Sequence, residues 1–133
     1  MGNDITDYEL RVLSHIWDLG GRAQVNEILG AWTLGDDEER KPGYTTVLKT
    51  LQKLEAKGIV SHAPGPGRAY VYVVLISRRE GSKDRLRQLV QTVFGGDRLE
   101  FAHAFFDEVG LTETEVTELK EILEQYRERS DDA

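Results

Sequence analysis

At Gly58 the hydrophobic period of the chain changes, and this limits the fold more than any other feature. Before it, GYTTVLKTLQKLEAKG places Val47, Leu51 and Leu54 at helical intervals, with Leu48 and Thr50 flanking them. After it come two β-branched and aromatic runs, Ile59–His62 and Tyr70–Ile76, separated by APGPGRA. The two Pro-Gly pairs force a turn, so the second half reads as a β-hairpin whose tip spans several residues and carries Arg68 at its distal end. Gly58 is a natural helix C-cap, and Lys57 suits the negative end of the helix dipole. An amphipathic helix therefore runs directly into a hairpin.

The other face of that helix bears on function. At 100° per residue, Thr45, Thr46, Lys49 and Lys53 gather opposite the apolar cluster, with no acidic residue among them. The chain as a whole is acidic, with 17 basic and 24 acidic residues and a net charge of −7. That total argues against simple attraction of the entire protein to phosphate or anionic membrane. The charge is unevenly divided, however. Residues 1–40 hold three basic and nine acidic side chains, residues 41–79 seven and one, and residues 80–133 seven and fourteen. The positive block covers the helix and the hairpin.

Around this block the chain reads as helices. Thr6-Asp7-Tyr8-Glu9 is a capping box, followed by Leu10, Val12, Leu13, Ile16 and Trp17 at helical spacing and ended by Gly20-Gly21. A short helix is predicted from about Gln24 to Trp32, with Val25, Ile28 and Leu29 inward. Residues 33–43 are predicted as a loop whose acidic run is solvated. Beyond Ser77, Leu86, Leu89, Val90, Val93 and Phe94 form one stripe. Leu99, Phe101, Ala102, Phe105, Phe106 and Val109 belong to the next helix. Thr112 caps a last one with Val116, Leu119, Ile122, Leu123 and Tyr126 on one face.

Two units follow from this pattern. Residues 1–76 read helix, helix, helix, hairpin, which is the order of a winged helix-turn-helix. Residues 77–133 read as three amphipathic helices. The fold class expected is mainly α with a small β-hairpin wing, the C-terminal helices forming a dimerisation region. About 55 residues can hardly bury three apolar faces alone, and a second copy of the chain is the simplest cover. In a winged helix-turn-helix the third helix enters the DNA major groove. A Thr hydroxyl meets a base edge or a phosphate, its methyl packs on thymine, and Lys49 and Lys53 reach phosphate or guanine. Arg68 on the wing would probe adjacent backbone or minor groove. The rival reading is a winged helix used to dock another protein.

Other chemistry is poorly supported. There is no cysteine, which excludes disulfides, thiolate metal sites and cysteine catalysis. His15, His62 and His103 have no second ligand three or four residues away, so no metal is expected. His62 on the wing strand could lie near a phosphate and His103 near the dimer contact, but ordinary helix or strand roles account for all three. The Glu-rich last helix reads as a solvated face. No Ser-His-Asp order, phosphate loop or carboxylate pair points to an enzyme, and no cofactor is implied. No apolar run approaches the roughly 20 residues that span a bilayer, and the N-terminus has no signal-peptide pattern, so the cytoplasm is the expected compartment.

With these residues assembled, the sequence resembles the BlaI/MecI/CopY family of bacterial repressors over nearly its whole length. ITDYELRVLSHIWDLG is similar to the family's first helix, and GYTTVLKTLQKLEAKGIVSH to its recognition helix and first wing strand. GRAYVYVVLISRRE resembles the second wing strand, and LVQTVFGGDRLEFAHAFFDEVGLTETEVTELKEIL the dimerisation region with its Phe-Gly-Gly turn. The resemblance implies a homodimer that blocks transcription at a near-palindromic operator of a β-lactamase, resistance or stress operon. It carries DNA contacts over to Thr45, Thr46, Lys49, Lys53 and Arg68, with Tyr44 packing near the backbone. Leu48 stands where some members have a basic residue, which implies an altered operator preference. Dimer contacts fall on Leu89, Val93, Phe94, Phe101, Phe105, Phe106, Leu119, Ile122, Leu123 and Tyr126. In the β-lactamase branch a membrane sensor with a zinc-protease domain triggers cleavage in the dimerisation region. The matching bond is Ala104–Phe105, with Ala104 where those members have Asn. The copper branch carries a C-terminal cysteine cluster, which this chain lacks.

Overall fold

The capping box predicted at Thr6 is present. In the computed structural model, which describes residues 4–35 and 41–132, the Thr6 hydroxyl accepts from the Glu9 amide at 3.1 Å. The Glu9 carboxylate accepts from the Thr6 amide at 2.9 Å. Two donors that a helix start leaves orphaned are thereby satisfied. Helix α1 (Asp7–Asp18) buries Val12, Leu13 and Ile16. Gly20 and Gly21, at φ +98° and +94°, turn the chain away from it.

That turn leads into a two-residue strand, β1 (Arg22–Ala23), which hydrophobic period does not reveal. It is followed by α2 (Val25–Gly35), α3 (Tyr44–Ala56), β2 (Val60–Pro64) and β3 (Tyr70–Val74). Helix α2 continues past Trp32 into residues that read as loop, and residues 36–40 of that predicted loop lie outside the described residues. The strands make one antiparallel sheet in the order β1-β3-β2, with Ala23 and His62 both opposite Tyr72. Three helices and a three-stranded sheet ending in a hairpin constitute a winged helix. Its core holds Trp32, Leu13, Ile16, Ile28, Leu51, Leu54, Val12, Val47 and Val60, all below 2% exposed.

One charged group is drawn into this unit. Glu9 is 4% exposed, and Lys57 donates to its carboxylate at 2.7 Å and to the Asp4 carbonyl at 2.8 Å. Burial alone would raise the Glu9 pKa. Hydrogen bonds from Lys57 and Thr6 and the Lys57 charge outweigh it and hold the carboxyl below its ordinary value. Lys57 is thus an ion-pair partner tying α3 to α1, a more specific role than the dipole interaction expected of it. Lys57 occupies the C-cap of α3, and Gly58 follows at φ +78°.

The helices α4 (Arg78–Val93), α5 (Arg98–Glu108) and α6 (Glu113–Asp132) complete the chain. Its contacts divide it into Met1–Asp84 and Arg85–Ala133, a boundary inside α4, whereas the sequence division is drawn after residue 76. The reason is local packing at the start of α4. Gly81 lies against Trp17 so closely that a Cβ would meet its Cη2 at 2.7 Å. Trp17 donates through Nε1 to the Ile76 carbonyl at 3.1 Å. Arg78 donates to the Ser14 carbonyl at 3.1 Å and to the Asp18 carboxylate at 2.6 Å.

The second unit has well-made helix starts. Asp97 caps α5 by accepting from the Glu100 amide at 3.0 Å, and Thr112 and Glu115 form a reciprocal capping box at α6. Gly95 and Gly96 supply positive φ at the α4–α5 turn, and Phe94 meets Phe101 edge-on at 5.5 Å. Yet none of its described residues is buried.

Candidate nucleic-acid interface

The orientation of α3 is set by its apolar side. Val47, Leu51 and Leu54 are fully buried, and Thr50, at 7% exposure, turns its hydroxyl back to the Thr46 carbonyl at 2.9 Å. The opposite side is consequently outward. Tyr44, Thr45, Thr46, Lys49 and Lys53 are all exposed. Lys49 and Lys53 have no ion-pair or hydrogen-bond partner among the described residues, in contrast to Lys57 one turn further on. Leu48 is half-buried and packs against the core cluster. A side chain in that place serves packing even where it offers no contact to a ligand.

The hairpin stands beside this helix because its strands are tied to it. His62 Nδ1 lies 2.7 and 2.8 Å from the two carboxylate oxygens of Glu55, in the last turns of α3. The ring of His62 also packs 4.5 Å from that of Tyr70. His62 is therefore engaged with Glu55 and Tyr70 while its side chain stays exposed on the wing strand. Glu55, the single acidic residue of the positive block, is committed to the same contact. Burial raises the pKa of Tyr72, and Glu55, Tyr44 and Tyr70 add to the effect, so the hydroxyl near this pair stays neutral at physiological pH.

Arg68 is exposed at the tip, next to Gly67 at φ +71°, and has no partner among the described residues. The Gly65 amide donates to the Ala69 carbonyl at 3.2 Å. From outside the hairpin the Gln24 side chain donates to the Pro66 carbonyl at 3.0 Å. Sequence reading does not single out Gln24, because it looks like an ordinary polar residue at a helix start. Lys41, exposed just before α3, is a further positive group that it passes over. The structure thus brings Thr45, Thr46, Lys49 and Lys53 onto one helix face, with Tyr44 exposed at the helix start, and puts Arg68 on the wing of the same unit. The arrangement presents hydroxyl donors and exposed cations with no carboxylate, a surface suited to phosphate oxygens and base edges.

The residues expected at a dimer contact lie in the second unit. Leu89, Val93, Phe105, Phe106, Ile122, Leu123 and Tyr126 are exposed, Val93 by 66% and Tyr126 by 61%, while Phe94, Phe101 and Leu119 are half-buried. Ala104 and Phe105 fall within α5, where the Phe105 carbonyl accepts from the Val109 amide at 2.8 Å. His103 is exposed on the same helix. Among the described residues no group of three or more His, Cys, Asp or Glu side chains can hold a metal ion, and no helix is long and apolar enough to cross a membrane.

A winged helix that exposes hydroxyls and cations together on its third helix has the architecture of one class, the DNA-binding regulators. The penicillinase repressor family model matches residues 5–125, and the chain belongs to that family. It is accordingly a DNA-binding transcriptional repressor and not an enzyme. Two solved structures are similar to it. One is the solution structure of the DNA-binding domain of the repressor BlaI, at 26% identity over 58% of this chain and 87% of that one, with a TM-score of 0.46. The other is the transcriptional regulator Tm0710 from Thermotoga maritima, at 20% identity over 97% of this chain and 80% of that one, with a TM-score of 0.43. No curated protein matches the chain significantly.

Proposed function

We propose that the protein acts in the cytoplasm as a homodimer on a near-palindromic operator, with α3 of each copy in a major groove and Arg68 of each wing on the adjacent backbone or minor groove. The observation that carries this reading is the face of α3: Thr45, Thr46, Lys49 and Lys53 exposed together, both lysines unpaired, and Tyr44 at the leading end. A two-fold dimer repeats that face and makes the operator two-fold in turn. Support for pairing through the tail comes from the apolar residues that the second unit leaves exposed, Leu89, Val93, Phe105, Ile122 and Leu123 foremost. The acidic segments flanking the positive block disfavour any other approach to DNA and so orient docking.

The regulated genes on this reading are those of a β-lactamase, resistance or stress operon, as family membership suggests. Release by a membrane sensor with a zinc-protease domain would act at Ala104–Phe105. That bond lies inside α5, so the helix must open locally before a protease can bind it extended. Selection of bound duplexes from the native genome tests the whole proposal. The expected product is a set of sites with inverted half-sites at fixed spacing. Recovery of no common sequence, with affinity that vanishes at moderate salt, would favour a protein-docking winged helix instead.

A further inference from the structure

We propose that Gln24 is a positioning residue for DNA binding, clamping the wing tip to the start of α2 and so fixing where Arg68 is presented. The inference rests on the reading of α3 and the wing as the DNA-contacting surface.

The backbone of Gln24 belongs to a rigid place. Its amide donates to the Glu27 carboxylate at 2.8 Å, and its carbonyl accepts from the Glu27 and Ile28 amides at 3.0 and 3.2 Å. It is thus built into the first turn of α2, directly after β1. Its side chain leaves that turn and reaches the hairpin. Nε2 donates to the Pro66 carbonyl at 3.0 Å and stands 3.5 Å from the Ala69 carbonyl. Those carbonyls lie on either side of Gly67 and Arg68, so one amide group holds both ends of the segment that bears the charge.

Gly65 shows how closely the parts fit. A Cβ there would meet Val71 Cγ2 at 2.5 Å, Gln24 Nε2 at 2.9 Å and the Ala69 carbonyl at 3.0 Å. Strand pairing reaches outward only as far as Pro64 opposite Tyr70. Beyond it, the Gly65–Ala69 bond and the Gln24 clamp are what order the tip. A cation on an unclamped tip must be ordered at the moment of binding, and that entropic cost subtracts from its contact with phosphate. Gln24 removes the cost in advance without touching DNA.

The test uses the full chain and a duplex recovered by selection from a random library, with affinity read by fluorescence anisotropy across a range of salt. Gln24→Met keeps the length of the side chain and removes its donor. It should weaken binding roughly two- to tenfold, the range of one lost hydrogen bond. It should also flatten the salt dependence by up to about one counterion. A merely structural defect lowers the active fraction but leaves that slope unchanged. In an Arg68→Ala background Gln24→Met should add nothing, and Gly65→Ala, which presses on the same amide, should reproduce its effect. Wild-type affinity and slope for Gln24→Met, or effects of Gln24→Met and Arg68→Ala that multiply, would overturn the clamp. Lys49→Ala and Lys53→Ala separate the two levels. If they weaken binding and Gln24→Met does not, the clamp alone is wrong. If they too leave binding intact, the surface on which the inference stands is wrong with it.

Discussion

The two units of this chain use apolar residues in opposite ways. In Met1–Asp84 they are inside: α1, α2, α3 and the sheet enclose a core whose largest members are below 2% exposed. In Arg85–Ala133 no described residue is buried, although the helices are well capped and carry Leu, Val, Ile, Phe and Tyr at helical spacing. Capping and periodicity therefore specify helices equally well in both units, but they specify a closed tertiary structure only in the first. Helix formation and core formation are separate achievements, and the second needs facing surfaces. The first unit finds those surfaces in its own chain. On the proposed reading the second finds them in another copy.

The sharpest way to break this contrast is to truncate one apolar residue in each unit. Leu51→Ala opens a cavity among fully buried neighbours and should cost about 2–5 kcal/mol of folding stability in urea denaturation. A cost under about 1 kcal/mol would mean that the first unit is not closed. The second unit should respond through association. Leu123→Asp, on an exposed face of α6, places a charge where the proposed partner sits. It should weaken the dimer by about 2 kcal/mol or more, roughly thirtyfold in dissociation constant. Sedimentation over a concentration series measures this directly. A variant that dimerises like the parent would move the pairing surface away from α6.

How much of this was legible in the sequence depended on how far apart the cooperating residues lie. The capping box at Thr6 and the cap at Thr112 each need only four residues, and both are present, the second also as a reciprocal box. The outward face of α3 follows from one helix period, and Tyr44, Thr45, Thr46, Lys49 and Lys53 are all exposed as expected. The strand β1 was illegible, because two residues show no period and their partners in β3 come some fifty positions later. Lys57 looked like a dipole partner because its true partner, Glu9, is 48 residues away. Gln24 is inconspicuous for the same reason: its polar side chain has meaning only against Pro66 and Ala69. Sequence alone places the start of α4 with the tail, because nothing local announces that Gly81 must accommodate Trp17.

The Glu9–Lys57 pair sharpens the contrast from the electrostatic side, since it seats a carboxylate in an interior, and only the first unit has one. The folded-state pKa of Glu9 lies below its ordinary value of 4.5. Its contribution to stability is then complete above 4.5 and is lost as pH falls through the folded-state value. Glu9→Gln keeps an acceptor for Lys57 and Thr6 but removes the charge. It should cost about 1–2 kcal/mol at neutral pH. The gap between variant and parent should narrow as acid protonates Glu9, when both are unfolded in urea at pH 7 and at pH 3. A constant gap across that range would show that the charge contributes nothing and that the Gln side chain merely packs badly.

The smallest effect on folding belongs to the face of α3, and its smallness is informative. Lys49 is exposed and has no partner among the described residues, so Lys49→Ala should change stability by no more than about 0.5 kcal/mol. A side chain that stabilises nothing and yet keeps a positive charge on a helix whose other face is fully packed is expected to act in binding. The variant should lower affinity for the selected duplex similarly across sequences and reduce the slope of log affinity against log salt by about one. An unchanged slope with weakened binding would place Lys49 on a base edge instead. In that case the loss would fall mainly on sites carrying guanine at one position of the half-site, and this face of α3 would read sequence as well as hold phosphate.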